Sequence, residues 1–270
     1  MISLQTAVLF SLPSYHRGDK RTRQKMSFFG FCSAGGFLPI TGRLSLTARR
    51  LSSKIGAEER RPQAAGRSGI TVKRNYQAEM EAEIERLGGR RPALLLHSCC
   101  GPCSSAVLER LTAHFRVTVL YYNPNIEPEE EYRHRLAEQE RLLSLLPGEI
   151  PLLNCAYDHE AFSAFAEAMA DCPEGGDRCL ACFALRLNET ARQAAENGFE
   201  YFTTTLSVSP HKNAEAVNRI GEEAGRKAGV RYLMADFKKK DGYLRSLQLS
   251  REYGLYRQDY CGCLYSRRTL

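Results

Sequence analysis

The feature that most constrains this chain is Ala93-Leu94-Leu95-Leu96-His97-Ser98-Cys99-Cys100-Gly101-Pro102-Cys103-Ser104-Ser105, an apolar run that ends abruptly in three cysteines. Ala93 to Leu96 has the length and composition of a buried strand, Gly101-Pro102 is turn punctuation, and Ser104 or Ser105 is placed to cap the amphipathic run Ala106 to Leu111. The reading is strand, cysteine loop, helix. Loops after strands of open α/β sheets are where such folds bind ligands, and the amide-rich start of a helix favours thiolate over thiol.

The same alternation continues downstream. Arg116 to Tyr122, Ile150 to Leu153, Tyr201 to Leu206 and Arg231 to Ala235 read as further strands. Helical spacing marks Val72 to Leu87, Glu127 to Leu146, His159 to Met169, Arg178 to Leu187 and Ala214 to Lys227. A strand-helix order of this kind predicts an α/β fold with a mostly parallel sheet flanked by helices, followed by a helical, basic C-terminal segment. No run approaches the about 20 apolar residues of a spanning helix, so no membrane partner is expected.

Charge separates the chain into two parts. Its formal net charge is +7, yet residues 1 to 70 hold 12 Lys and Arg against 3 Asp and Glu, so the remainder is net acidic. Residues 1 to 70 form an N-terminal extension, read as a targeting peptide, a disordered arm or, by preference, sequence upstream of the true start, for which Met26 and Met80 are the candidate internal starts. The folded domain is placed at residues 71 to 270. A charged leader and a small-residue cleavage site are both missing, which argues against secretion and for the cytoplasm.

Seven of the ten cysteines fall in tight groups: Cys99, Cys100 and Cys103; Cys179 and Cys182; Cys261 and Cys263. Without an export signal, such clustering points to metal or redox chemistry rather than a disulfide framework. On a helix, Cys179 and Cys182 share a face and can reach one centre. Seven thiols overfill a structural zinc site, and an iron-sulfur cluster would use four of them. Spacing alone leaves iron-sulfur, zinc and thiol redox chemistry open. Cys32, Cys155 and Cys172 stand alone and read as small apolar residues. His97 reads as a packed strand-end residue or a ligand; His211 follows the fourth strand; Asp236 follows the fifth and is either a functional carboxylate or a cap.

Residues 238 to 270 hold eight Lys and Arg against three acids, with Tyr243, Tyr253, Tyr256, Tyr260 and Tyr265 among them. Cations for phosphate and aromatics for stacking suit a single-stranded RNA loop, although a solvated helix face has the same composition. Lys238, Lys239, Lys240, Arg245 and Arg257 are the candidate RNA contacts.

Several motifs in order carry a resemblance: Leu94 to Ser105; Tyr121 to Tyr132 (Tyr-Tyr-Asn-Pro-Asn-Ile-Glu-Pro-Glu-Glu-Glu-Tyr); Arg178 to Leu187 (Arg-Cys-Leu-Ala-Cys-Phe-Ala-Leu-Arg-Leu); Phe202 to Lys212 (Phe-Thr-Thr-Thr-Leu-Ser-Val-Ser-Pro-His-Lys); Asp236 to Tyr243; and Tyr256 to Ser266 with its Cys-Gly-Cys. With them the chain resembles the QueH-type epoxyqueuosine reductases. The resemblance implies cobalamin-independent reduction of the epoxide of epoxyqueuosine at the wobble position of tRNA, giving queuosine. It also implies a 4Fe-4S cluster and a Rossmann-like fold of the adenine nucleotide α-hydrolase (HUP-like) group. ATP-binding relatives of that group carry Ser-Gly-Gly-x-Asp-Ser after the first strand; Cys99 to Ser105 stands there instead, so no ATP use is expected. Carried over, the cluster ligands are Cys99, Cys100, Cys179 and Cys182. Cys261 and Cys263 are then a redox pair or, with Cys103, ligands of a second iron. Asp236, Tyr260 and His211 are candidate proton donors, and the electron donor is unidentified. The alternatives are a tRNA-binding module with structural zinc and an electron carrier serving another enzyme.

Overall fold

Three consecutive leucines, Leu94, Leu95 and Leu96, are each fully buried because their strand is covered on both faces. The computed structural model describes residues 74–267. In it β1 (Ala93–His97) lies at the centre of an all-parallel sheet with β2 (Arg116–Tyr121), β3 (Leu152–Asn154), β4 (Tyr201–Thr204) and β5 (Arg231–Tyr232), in the order β3-β2-β1-β4-β5. Alternate leucines serve opposite cores. Leu94 and Leu96 pack with α1 (Tyr76–Arg86), α2 (Gly101–Leu111) and α3 (Glu129–Leu145), whereas, beyond the short α4 (His159–Ala166), Leu95 packs with α5 (Asp177–Glu196) and α6 (Ala214–Ala228). Each such leucine is worth about 1.5–3 kcal/mol of burial. The predicted α/β fold with a parallel sheet is what the chain adopts. The N-terminal extension at residues 1 to 70 lies outside the described residues, as do Cys32 and Arg268.

The strand order reverses at β1. From there the chain moves outward through β2 and β3, then crosses back to β4 and β5. A crevice opens between the carboxyl ends of β1 and β4, where doubly wound sheets place ligands. The backbone N–H of Cys99, just past β1, donates to Thr205 Oγ1, just past β4, at 3.0 Å.

Some element ends differ from expectation, and side-chain hydrogen bonds explain the differences. Helix α2 starts at Gly101 rather than after Ser105: Cys100 is extended (φ −174°, ψ 160°) and Pro102 stands in the first turn. Neither serine caps it, because Ser104 Oγ donates to the Cys100 carbonyl (2.9 Å) and Ser105 Oγ to that of Pro102 (2.8 Å). β4 stops at Thr204, whose Oγ1 accepts the Leu206 N–H at 3.2 Å and turns the chain. β5 is cut short as the buried Asn218 side chain takes the place of a strand partner, accepting from Ala235 N–H and donating to Ala235 O, both at 2.9 Å.

Helix α7 (Gly242–Glu252) packs on α2, and the chain beyond it returns along α3 as an irregular strap. Arg141 donates to the carbonyls of Tyr253 (2.9 Å) and Gly254 (2.7 Å), Glu138 accepts the Tyr256 N–H (2.8 Å), and Arg135 donates to the Cys261 carbonyl (3.2 Å). Residues at successive three-residue steps of α3 thus lay the strap across the crevice. Among the described residues no helix is long and apolar enough to cross a membrane.

Candidate active site

The thiol sulfurs of Cys99, Cys100 and Cys103 lie within 4.8 Å of one another, with Cys99 and Cys100 at 3.8 Å. Strand β1 delivers the first of them, and the extended Cys100 turns the chain so that Cys103 comes back beside it in the first turn of α2. Three convergent thiols form a donor set able to hold a metal. Their protons are unequally held. Hydrogen bonds from the Cys100 and Cys103 thiols, with the Lys212 and Arg186 cations nearby, hold Cys99 well below the usual thiol range. The Cys103 thiol acts to lower Cys100, but its bond to Cys99 and its burial win and lift it to about 11. Cys103, hydrogen-bonded to Cys100 and Cys99 in its protonated form, is lifted well above the ordinary value. Of the three sulfurs Cys99 is the one whose thiolate is favoured, and Thr205 Oγ1 adds a further hydrogen bond to Cys99 Sγ at 3.3 Å.

The other cysteines approach from two directions. Cys99, Cys103 and Cys261 line one cavity of about 230 Å³; Cys179 and Cys261 line an adjoining one of about 430 Å³. Cys179 sits in the first turn of α5 and accepts the Gly175 N–H at 3.2 Å. Cys182 and Cys263 are each 7 % exposed and pack together with Phe162 and Ala166. Burial pushes the Cys182 thiol up to about 12 and raises Cys263. The Cys-Gly-Cys geometry depends on Gly262, which has φ +121° and whose carbonyl accepts the Glu127 N–H at 2.9 Å. A Cβ there would lie 2.8 Å from Ile126 Cγ1 and 3.2 Å from Arg135 Nη1. Only glycine lets the strap press its two cysteines against the loop after β2.

Two cations reach the cysteines, and the sequence reading singled out neither. Arg186 is 2 % exposed; its Nη2 donates to Asn123 Oδ1 at 2.5 Å and its Nε lies 3.3 Å from His97 Nε2. Half-buried Lys212 lines both cysteine cavities. Burial works against its charge, but the facing Cys261, Cys99 and Cys103 more than offset that and raise it. The available signal was spacing: Arg186 follows Cys182 by one helical turn, and Lys212 follows His211.

The remaining candidates are divided. Tyr260 and His211 line the cysteine cavity, although the Tyr260 hydroxyl is engaged with the Glu127 carbonyl at 3.2 Å. Arg257 is also on this wall. Asp236 is not; it pairs with Lys238 at 2.6 Å in a separate cavity of about 850 Å³ that also holds Lys239 and Lys240. His97 is fully buried behind Cys99, and burial, reinforced by Arg186, depresses it to about 3, so it stays neutral. Of the candidate RNA contacts, Lys240 pairs with Glu81, and Arg245 with Glu109 (2.6 Å) and Glu252 (3.3 Å). Lys239 makes no ion pair among the described residues and is exposed.

A parallel α/β sheet with a thiol group at its switch crevice, closed over by a cysteine-bearing strap and faced by cations, defines a cysteine-centred metal or redox protein. The chain belongs to a family of that class, the one described as Epoxyqueuosine reductase QueH, whose profile matches residues 94–269. Relatives carrying that name include one from Streptococcus pyogenes serotype M1, 38 % identical over 72 % of this chain and 78 % of its own. Another, from Staphylococcus epidermidis, is 39 % identical over 66 % of this chain and 77 % of its own. One from Thermotoga maritima is 35 % identical over 64 % of this chain and 89 % of its own.

Proposed function

We propose that this chain reduces the epoxide of epoxyqueuosine in the wobble position of tRNA, giving queuosine, with a 4Fe-4S cluster bound at its thiol pocket. The observation that carries the reading is the convergence of the Cys99, Cys100 and Cys103 sulfurs, with Cys99 and Cys103 lining a cavity beside Cys261 and Lys212. The donor set fits a cluster: soft thiols, one of them, Cys99, held below the usual thiol range, and two cations to balance the charge. Cys99, Cys100, Cys179 and Cys182 would hold it. Cys261 and Cys263 would serve as a redox pair or, with Cys103, hold a second iron. When bound, the cluster supplies electrons one at a time.

The balance of the reaction is epoxide plus two electrons and two protons, giving the alkene and water. As the C–O bonds break, negative charge develops on the departing oxygen. Lys212 faces the cavity as an ammonium and stabilises that charge. His211 and Tyr260 stand on the same wall as proton sources. Asp236 is a weaker candidate for that role because Lys238 holds it in a different cavity. An electron donor of undetermined identity must deliver both electrons. The substrate tRNA approaches over Arg257 and Lys239, and the reaction belongs in the cytoplasm, without ATP.

The test is single-turnover conversion. Reduced protein incubated with tRNA carrying epoxyqueuosine should yield the nucleoside lighter by one oxygen, and Cys100→Ala should lose both the visible absorbance and the conversion. Retained conversion in Cys100→Ala would remove that residue from the centre. A colourless zinc protein that binds the tRNA unchanged would leave an RNA-binding module in its place.

A further inference from the structure

Arg186 is a buried charge without a carboxylate. It is 2 % exposed, and among the described residues it meets no carboxylate: its partners are the Asn123 amide oxygen at 2.5 Å, the His97 ring nitrogen at 3.3 Å and the Cys182 thiol. Burying an unpaired guanidinium costs several kcal/mol, and an amide with an imidazole does not offset that. The compensating anion must therefore be something else within reach.

What lies within reach is sulfur. Arg186 stands one turn after Cys182 on α5 and lines the cavity of Cys99, Cys103 and Cys261. Its position is fixed at both ends: Asn123, which accepts from it, donates to the Ser98 carbonyl at 2.9 Å, and His97 is held against Thr204 Oγ1 at 2.7 Å. The loops after β1 and β2 thus lock the guanidinium beside the thiols. Lys212 differs, being half-buried on a long flexible stem that solvent reaches.

We propose that Arg186 is the fixed counter-cation of the thiolate-held centre and sets its reduction potential. This inference rests on the iron-sulfur reading above. Adding an electron increases negative charge at the centre. A nearby cation in low dielectric stabilises the reduced form more than the oxidised one, so Arg186 raises the potential.

The experiment compares wild type, Arg186→Lys and Arg186→Gln, each reconstituted anaerobically. Iron and sulfide content and the cluster midpoint potential are measured for all three. Arg186→Lys keeps the charge and should hold the potential unchanged. Arg186→Gln should shift the equilibrium about tenfold or more toward the oxidised cluster, about 59 mV lower for a one-electron couple. Should Arg186→Gln hold no cluster, retention in Arg186→Lys at unchanged potential supports the same conclusion. Wild-type potential in Arg186→Gln would overturn the inference and leave the iron-sulfur reading standing. So would equal shifts, or equal cluster loss, in both variants, because shape rather than charge would then matter. A wild-type protein that takes up no cluster would overturn both.

Discussion

Replacing Gly262 with alanine should detach the Cys-Gly-Cys strap while leaving the sheet folded. At φ +121° a side-chain-bearing residue costs on the order of 1–3 kcal/mol. The added methyl also meets Ile126 Cγ1 at 2.8 Å, and neither Ile126 nor Arg135, each 1 % exposed, has room to yield; overpacking of this sort costs about 1–3 kcal/mol more. Locally, the strap is held by the Glu127 N–H to the Gly262 carbonyl, worth about 0.5–1.5 kcal/mol, and by the charged Arg135 to the Cys261 carbonyl, worth about 1.5–3 kcal/mol. The strain is therefore comparable to the local attachment but smaller than the about 5–15 kcal/mol that holds a domain together. A local penalty of about 2 kcal/mol multiplies the open fraction of the strap by about 30. The assay is alkylation of Cys261 and Cys263 followed by peptide mass spectrometry, beside a thermal melt. Faster labelling of the buried Cys263 with a nearly unchanged melt is expected. Labelling at the wild-type rate would show that the strap does not depend on glycine here, and the argument from close approach would fail.

Other consequences are simpler to state. Arg141→Ala removes the clamps on the Tyr253 and Gly254 carbonyls, so limited proteolysis should cut the strap faster while α3 stays intact; unchanged cleavage would mean these bonds do not hold it. Among the lysines before α7, Lys239→Glu should lower the salt slope of tRNA binding by about one, whereas Lys240→Glu, already paired with Glu81, should lower it less; equal effects would contradict the pairing. His97 lies below its ordinary pKa in the folded state. The unfolded chain therefore binds its proton first, and stability present above pH 6.5 is lost as pH falls toward about 3. His97→Gln should flatten urea midpoints across that window, and parallel curves for the two proteins would show that another group carries the acid dependence.

The strands were legible because each is a short apolar run bounded by turn residues, and β1 with its cysteine loop announces the crevice directly. What periodicity could not show were the side chains that end elements. Asn218 replaces a strand partner from a position 17 residues before Ala235. Ser104 and Ser105 look like caps, yet they bond backward into α2 because Cys100 and Pro102 start the helix earlier. The basic C-terminal segment looked uniformly available, but Arg245 is paired with Glu109, 136 residues away, a distance no local pattern reveals. Arg186 was hidden for the same reason. A lone arginine in a helical motif reads as surface charge until the fold places it behind the cysteines.

The most direct test of the central claim is iron and sulfide quantitation on anaerobically purified protein, coupled to turnover of tRNA carrying epoxyqueuosine. The account predicts a coloured protein with about four irons and four sulfides per cluster that forms queuosine when reduced. A colourless protein, or a cluster-bearing one that leaves the epoxide intact, would contradict it.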